Sequence, residues 1–220
     1  MKINTFLLPL MLGSNEEQPD ERELARRAEE LGIIKENTKP HYCVLVSKFK
    51  NNGVSYTGKE HTDFLDAVLN KYFYAVSFTV YGRAVTLIVY DNEGDISSVL
   101  DLPLKEVVQT AKKMLLQTCT IGISREFSEL SGCSAAYFQA VTARRYTKDG
   151  AGEVRFINDQ ERDGEIEIDH VEKTVLKLEQ LLKVGDNGAL CDFINGLFEN
   201  STPENADLLV MQILATVYRV

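Results

Sequence analysis

Hydrophobic positions along the chain change period several times, and each change marks an element. Phe6 to Leu12 is an apolar helical run, followed by a loop through Gly13, Ser14 and Pro19. Asp20 then stands as an N-cap with Glu23 three residues on. Leu24, Ala28 and Leu31 form a stripe ending at Gly32, a helix stop, and Pro40 closes the segment. The run His41 to Phe49 is rich in β-branched and aromatic residues and predicts a strand, with Asn51-Asn52-Gly53 as the loop after it. Between His61 and Tyr72, Phe64, Leu65, Val68 and Leu69 fall at helical spacing. Two apolar runs, Tyr74–Val80 and Ala84–Tyr90, flank Tyr81-Gly82-Arg83 and predict a β-hairpin. A helix over Leu104–Gln117, a strand over Thr118–Ile123, a helix over Ala135–Tyr146 and a strand over Glu153–Ile157 complete the order β-α-β-β-α-β-α-β. That order predicts an α+β fold with helices packed on a single sheet.

From Glu165 the pattern is helical again. Ile168, Val171, Val175, Leu178 and Leu182 recur at three and four residues, with Gly185 as the stop, and two further helices follow at about Gly188–Phe198 and Ala206–Arg219. Two readings stay open for the first of these helices: the seam of a coiled-coil dimer, or a helix packed on its own domain. The expected organisation is an N-terminal helical arm at 1–40, an α+β domain at 41–157, and a helical tail at 158–220 that reads as the start of a connection to something beyond it.

Composition narrows the function. The 220 residues carry 24 Lys+Arg against 33 Asp+Glu, a net charge of −9. The tail alone holds 5 basic and 13 acidic residues, whereas 41–157 is nearly neutral. Nucleic-acid-binding domains present a basic face, and the negative balance argues against such a domain here. Its four cysteines form no CxxC pair and its three histidines, His41, His61 and His170, lie in separate elements. Structural zinc and histidine catalysis are therefore not expected, and the cysteines read as buried thiols of a reduced compartment. The apolar run at 6–12 is broken by Pro9 and is too short to span a bilayer, so the expectation is a cytoplasmic protein without a membrane partner. G-x-S-x-G, H-E-x-x-H, P-loop and Rossmann glycine motifs are all missing.

Several stretches resemble a known family. Thr118-Cys119-Thr120-Ile121-Gly122-Ile123-Ser124, then Glu129-Leu130, then Ala135-Ala136-Tyr137-Phe138-Gln139-Ala140-Val141-Thr142-Ala143-Arg144-Arg145-Tyr146, a glycine pair and a short strand, resemble the second half of a GGDEF-like domain. That half closely resembles the degenerate version found in AraC-family transcription regulators, often two-component response regulators, between a receiver or sensor and the C-terminal helix-turn-helix pair. The arm ending Ala28-Glu29-Glu30-Leu31-Gly32-Ile33 and the tail stretch Leu178 to Asp186 are similar to the segments flanking that domain.

The resemblance implies a nucleotidyl-cyclase-like sheet. Active members of the wider family make a cyclic dinucleotide from GTP, with carboxylates holding magnesium against the triphosphate. Here the first strand reads Val44-Leu45-Val46-Ser47-Lys48-Phe49-Lys50, without an acid, and Arg83 and Ala84 stand in the hairpin where carboxylates belong. The expectation is a domain with no catalytic residues, no metal and no cofactor, acting as the signal-transmitting module of a transcription regulator. It would form a homodimer and reach DNA only through a domain absent from this chain. The alternative is a domain that senses a nucleotide or another small effector; an active diguanylate-cyclase-like enzyme is disfavoured. For ligand binding the candidates are Gly82 and Arg83, a backbone amide and a guanidinium at a hairpin tip. A tight turn with a solvated arginine explains the same residues without a ligand.

Overall fold

A computed structural model describes residues 2–13, 20–35, 38–51, 54–91, 96–147 and 152–158, together with 174, 177–183, 185, 187–199 and a few positions between 210 and 217. Helices α1 (Lys2–Leu12) and α2 (Glu21–Glu30) precede β1 (His41–Asn51) and the short β2 (Val54–Ser55). There follow α3 (Lys59–Leu69), the hairpin β3 (Tyr74–Val80) and β4 (Arg83–Tyr90), α4 (Ile96–Thr110) with a π-helical extension Ala111–Leu115, and β5 (Thr118–Ile123). A 3₁₀ turn at Leu130–Gly132 leads into α5 (Cys133–Arg145), β6 (Val154–Phe156) and, in the tail, α6 (Asn187–Glu199).

The strands form one mixed sheet in the order β3-β4-β1-β5-β6, with β2 folded back on β1. All pairs are antiparallel except β5 with β6. β1 is central, pairing β4 through Leu45↔Thr86 and β5 through Ser47↔Ile121. A central strand is covered on both faces, which is why β1 and β4 are nearly continuous apolar runs.

Alternation along the strands assigns the two faces. Tyr42, Val44 and Val46 of β1 and Val85, Leu87 and Val89 of β4 join one core layer with residues of α1, α2 and α5: Leu7, Met11, Leu24, Ala28, Tyr137 and Val141. Cys43, Leu45, Phe49 and Ile88 join the opposite layer with Leu65 and Leu69 of α3 and Leu100 and Leu104 of α4. The residues expected as an N-terminal arm thus contribute fully buried side chains to the first layer. Glu21 of α2 reaches across it, its carboxylate accepting from the Leu130 and Ser131 amides at 2.6 and 2.9 Å where α5 begins.

Local signals explain the ends of α2. Asp20 caps it, accepting from the Arg22 amide at 3.2 Å. At the other end Gly32, with φ 70°, sits in the left-handed region while Ile33 N–H returns to Ala28 O and Gly32 N–H to Glu29 O, a Schellman closure. The chain is thereby turned so that Ile33 enters the core. α5 lies unusually close to β5 at Gly122, where a Cβ would stand 2.1 Å from the Arg144 backbone nitrogen and 2.2 Å from Ala140 O. Among the described residues no helix is long and apolar enough to cross a membrane.

Candidate functional site

β3 and β4 stay in register to Val80↔Arg83, so their connection is just Tyr81 and Gly82. Both have positive φ, 45° and 71°, the signature of a type I′ turn. A Cβ at Gly82 would meet nothing within 4 Å. Glycine is therefore required there by the backbone angle, not by a close approach.

Arg83 is half-buried, and the pairing of Ala84 with Ser47 makes Arg83 and Lys48 cross-strand neighbours on one face of the sheet. Lys48 pairs Thr120 and Lys50 pairs Thr118 in β5, so Lys48 and Lys50 share the face that α5 covers. α5 brings Tyr137 and Arg144 to the same end. Burial pushes the Tyr137 phenol well above its ordinary range; the Arg83 guanidinium, and more weakly Arg144, pull it back, while Tyr81 adds to the rise. Arg83 thus lies on the face that α5 covers, where its charge is felt by a phenol whose hydroxyl makes no hydrogen bond, and Arg144 is itself buried at 8% exposure. Lys48, Tyr137 and the burial of Arg144 were not picked out from sequence. Alternation along β1 places the lysines on one face, but nothing in the sequence brings α5 over them.

On the other face of the same strand end, Ser47 is fully buried and its hydroxyl has no hydrogen-bond partner. The segments Ser47–Lys50 and Tyr81–Ala84, which meet at the Ser47↔Ala84 pair, thus present three cations, Lys48, Lys50 and Arg83, and no carboxylate. This donor set does not fit a magnesium ion bridging phosphates, which calls for hard anionic oxygen ligands. Among the described residues no group of three or more His, Cys, Asp and Glu is placed to hold a metal.

The histidines are accounted for where they are described. His61 is 1% exposed; its Nδ1 accepts from the Gly58 amide at 3.0 Å and its Nε2 lies 2.7 Å from Gln117 Oε1. The first contact makes Nδ1 the acceptor, so Nε2 carries the proton and donates to Gln117. His61 is a helix-capping residue locked in one tautomer. His41 lies 2.5 Å from Glu126 at the start of β1, and His170 lies outside the described residues. Cys43, Cys119 and Cys133 are buried and Cys191 exposed, all four as free thiols. Burial pushes the Cys133 thiol up to about 12, with the nearby charge of Glu21 adding to the rise.

Of the residues on the tail seam, Leu178 is 1% exposed within the single chain and Leu182 is half-buried. Gly185, at φ 72°, ends this helical run as expected, its amide returning to Leu181 O and Leu182 O. Ile168, Val171 and Val175 lie outside the described residues.

Residues 14–146 match the family model of the GGDEF-like domain, more than half of the chain. The protein belongs to the GGDEF-like domain family. The match runs from Ser14 to Tyr146, and so takes in α2, the hairpin, the whole of β1 and the close α5–β5 contact. No curated protein matches the chain. In this GGDEF-like domain the hairpin tip is a type I′ turn followed by a single charged residue, Arg83, which is half-buried on the face that α5 covers.

Proposed function

We propose that this GGDEF-like domain performs no nucleotide chemistry and works as the signal-transmitting module of an AraC-type transcription regulator of the two-component response-regulator kind. One observation carries the non-catalytic reading: the strand end and hairpin that face one another hold Lys48, Lys50 and Arg83 and no carboxylate. Transfer of a phosphoryl group needs its developing negative charge neutralised by metal ions, and without carboxylates those ions have no ligands. The AraC assignment is supported by the stretches Thr118–Ser124 and Ala135–Tyr146 and by the flanking segments at 28–33 and 178–186. In this reading the module is cytoplasmic and acts as a homodimer joined through the helix around 168–182. It couples an upstream receiver or sensor to a downstream helix-turn-helix domain that carries the basic recognition surface.

The test is incubation of the purified chain at high concentration with GTP and magnesium or manganese, followed by chromatography of the nucleotides. Unchanged GTP is expected. A cyclic dinucleotide that accumulates in proportion to protein would overturn the non-catalytic reading.

A further inference from the structure

The start of α5 carries no cap of its own. Its N-cap position is Gly132, which has no side chain to offer, and the first turn that follows holds no acidic residue. The 3₁₀ turn just before it, Leu130–Gly132, opens at Glu129, whose side chain makes no capping hydrogen bond either. Amides at a helix start still need acceptors. Here another element supplies them. Glu21, the first residue of α2, accepts from the Leu130 amide at 2.6 Å and from the Ser131 amide at 2.9 Å, one bond to each carboxylate oxygen. Glu21 and Leu130 stand 109 residues apart in the chain.

Apart from this contact α2 is lightly held. Of its ten residues Leu24 and Ala28 alone are buried, and all the others except Ala25 are charged. Arg27 lies over the Phe6 ring at 5.7 Å, which ties α2 to α1 and not to the sheet. Ile33, turned inward by the Schellman closure, anchors the far end. A helix that buries so little belongs to the low-stability part of a fold, and a pair of charge-assisted hydrogen bonds is a large share of what keeps it in place.

The position of the contact gives it a use. α2 is the last helix before the sheet begins, and α5 is the last before β6 and the tail. Glu21 therefore joins the segment by which the chain enters the sheet to the segment by which it leaves. Directly beneath lies Cys133, the first residue of α5, 1% exposed in the same layer as Leu24 and Ala28.

We infer that α2 is a strap over the start of α5, with the Glu21 carboxylate as its catch, and that opening of the strap uncovers Leu130, Ser131 and Cys133 while the α3–α4 layer stays closed. The strap is a property of the fold and stands whether or not the module relays a signal; in a relay it is the moving part between entrance and exit.

The free thiols test this directly, because Cys133 lies in the strapped layer and Cys43 and Cys119 in the opposite one. The purified chain is alkylated with iodoacetamide at several low urea concentrations, and each cysteine is followed by mass spectrometry. A buried thiol reacts only from an opened state, whereas exposed Cys191 reacts at once. In the wild type Cys133 should react faster than Cys43 and Cys119. Glu21→Gln should raise the Cys133 rate by about tenfold, the worth of a helix cap, and leave the other two buried thiols at their wild-type rates. The Glu21 charge also raises the Cys133 thiol, so its removal speeds the reaction somewhat without any opening. Opening exposes surface and gives the Cys133 rate an upward slope in urea, which a change of charge does not. Glu29→Gln, the same change at an exposed position of the same helix, is the control and should alter nothing. Equal rates at the three buried thiols of the wild type overturn the strap. So do an unchanged Cys133 rate in Glu21→Gln, a rise without a urea slope, an equal rise in Glu29→Gln, or a parallel rise at Cys43 and Cys119. Neither GTP nor DNA enters the readout, so failure here is distinct from failure of the proposed function.

Discussion

Two glycines that look alike in the sequence have different reasons to be there. Gly82 is demanded by its φ of 71° and has open space where a Cβ would go; Gly122 faces the backbone of α5 at 2.1 Å. Gly82→Ala should therefore cost about 1 to 2 kcal/mol, the strain of a left-handed alanine. Gly122→Ala must push α5 off β5, and should cost about 3 kcal/mol or more, as overpacking against unyielding backbone does. Urea unfolding of the two variants checks the ranking; equal losses would show that α5 can shift away at little cost. Asp66 gives a pH-dependent counterpart. Its carboxyl is half-buried with Oδ1 unpartnered, and burial raises its pKa while the Ser77 hydroxyl and amide pull it back. Ser77 also lies 2.8 Å from the Thr86 hydroxyl, and either of these oxygens can donate to the other. A folded-state pKa above the unfolded one means that the unfolded chain ionises first as pH rises. The stability held by the neutral carboxyl is thus full below the ordinary aspartate value of about 4, and is lost as pH climbs from there through the folded pKa. Wild type should lose stability relative to Asp66→Asn across that window when unfolding is measured as a function of pH. A constant gap between the two would remove Asp66 from the account.

At the scale of elements, α2 shows how much a local signal is worth. Its cap, its stripe of Leu24 and Ala28, and its glycine stop are all readable from sequence, and all three are present. Asp20→Ala should cost about 1 kcal/mol of stability, the usual worth of an N-cap, measured by chemical denaturation; no loss would mean that the packing of α2 on the sheet holds the helix unaided. Other elements were less legible, for reasons specific to each. The expected helix at Leu104 begins earlier, at Ile96, and Pro103 lies inside it. Proline reads as a boundary in sequence, yet here Ile96, Leu100, Leu104 and Val107 remain on one buried face and packing outweighs the break. The π-helical turn at Ala111–Leu115 and the left-handed Leu116 that follows it, φ 56°, leave no mark on the hydrophobic pattern. β2 is two residues long, both exposed, too short to show any alternation. The hairpin was legible because its two apolar runs have matched lengths about a Tyr-Gly turn, the condition that sets register.

For the whole molecule, sequence carried the fold and the loss of acids, but not the surroundings of the candidate residues. Gly82 and Arg83 were visible as a hairpin tip. That Arg83 would lie on the α5 face near Tyr137, with Lys48 beside it, depends on α5 lying over β1, a contact between segments more than eighty residues apart. The proposed role joins a GGDEF-like sheet whose hairpin end is cationic to the relay of a signal to a DNA-binding domain in the same polypeptide. That union is tested most directly by cross-linked chromatin immunoprecipitation from the source cells, with an antibody raised against these residues and sequencing of the recovered DNA. The account predicts sharp enrichment of a few promoter-proximal sites, carried by a polypeptide much heavier than 24.7 kDa. Uniform background DNA, recovered with a polypeptide of 24.7 kDa, would contradict it.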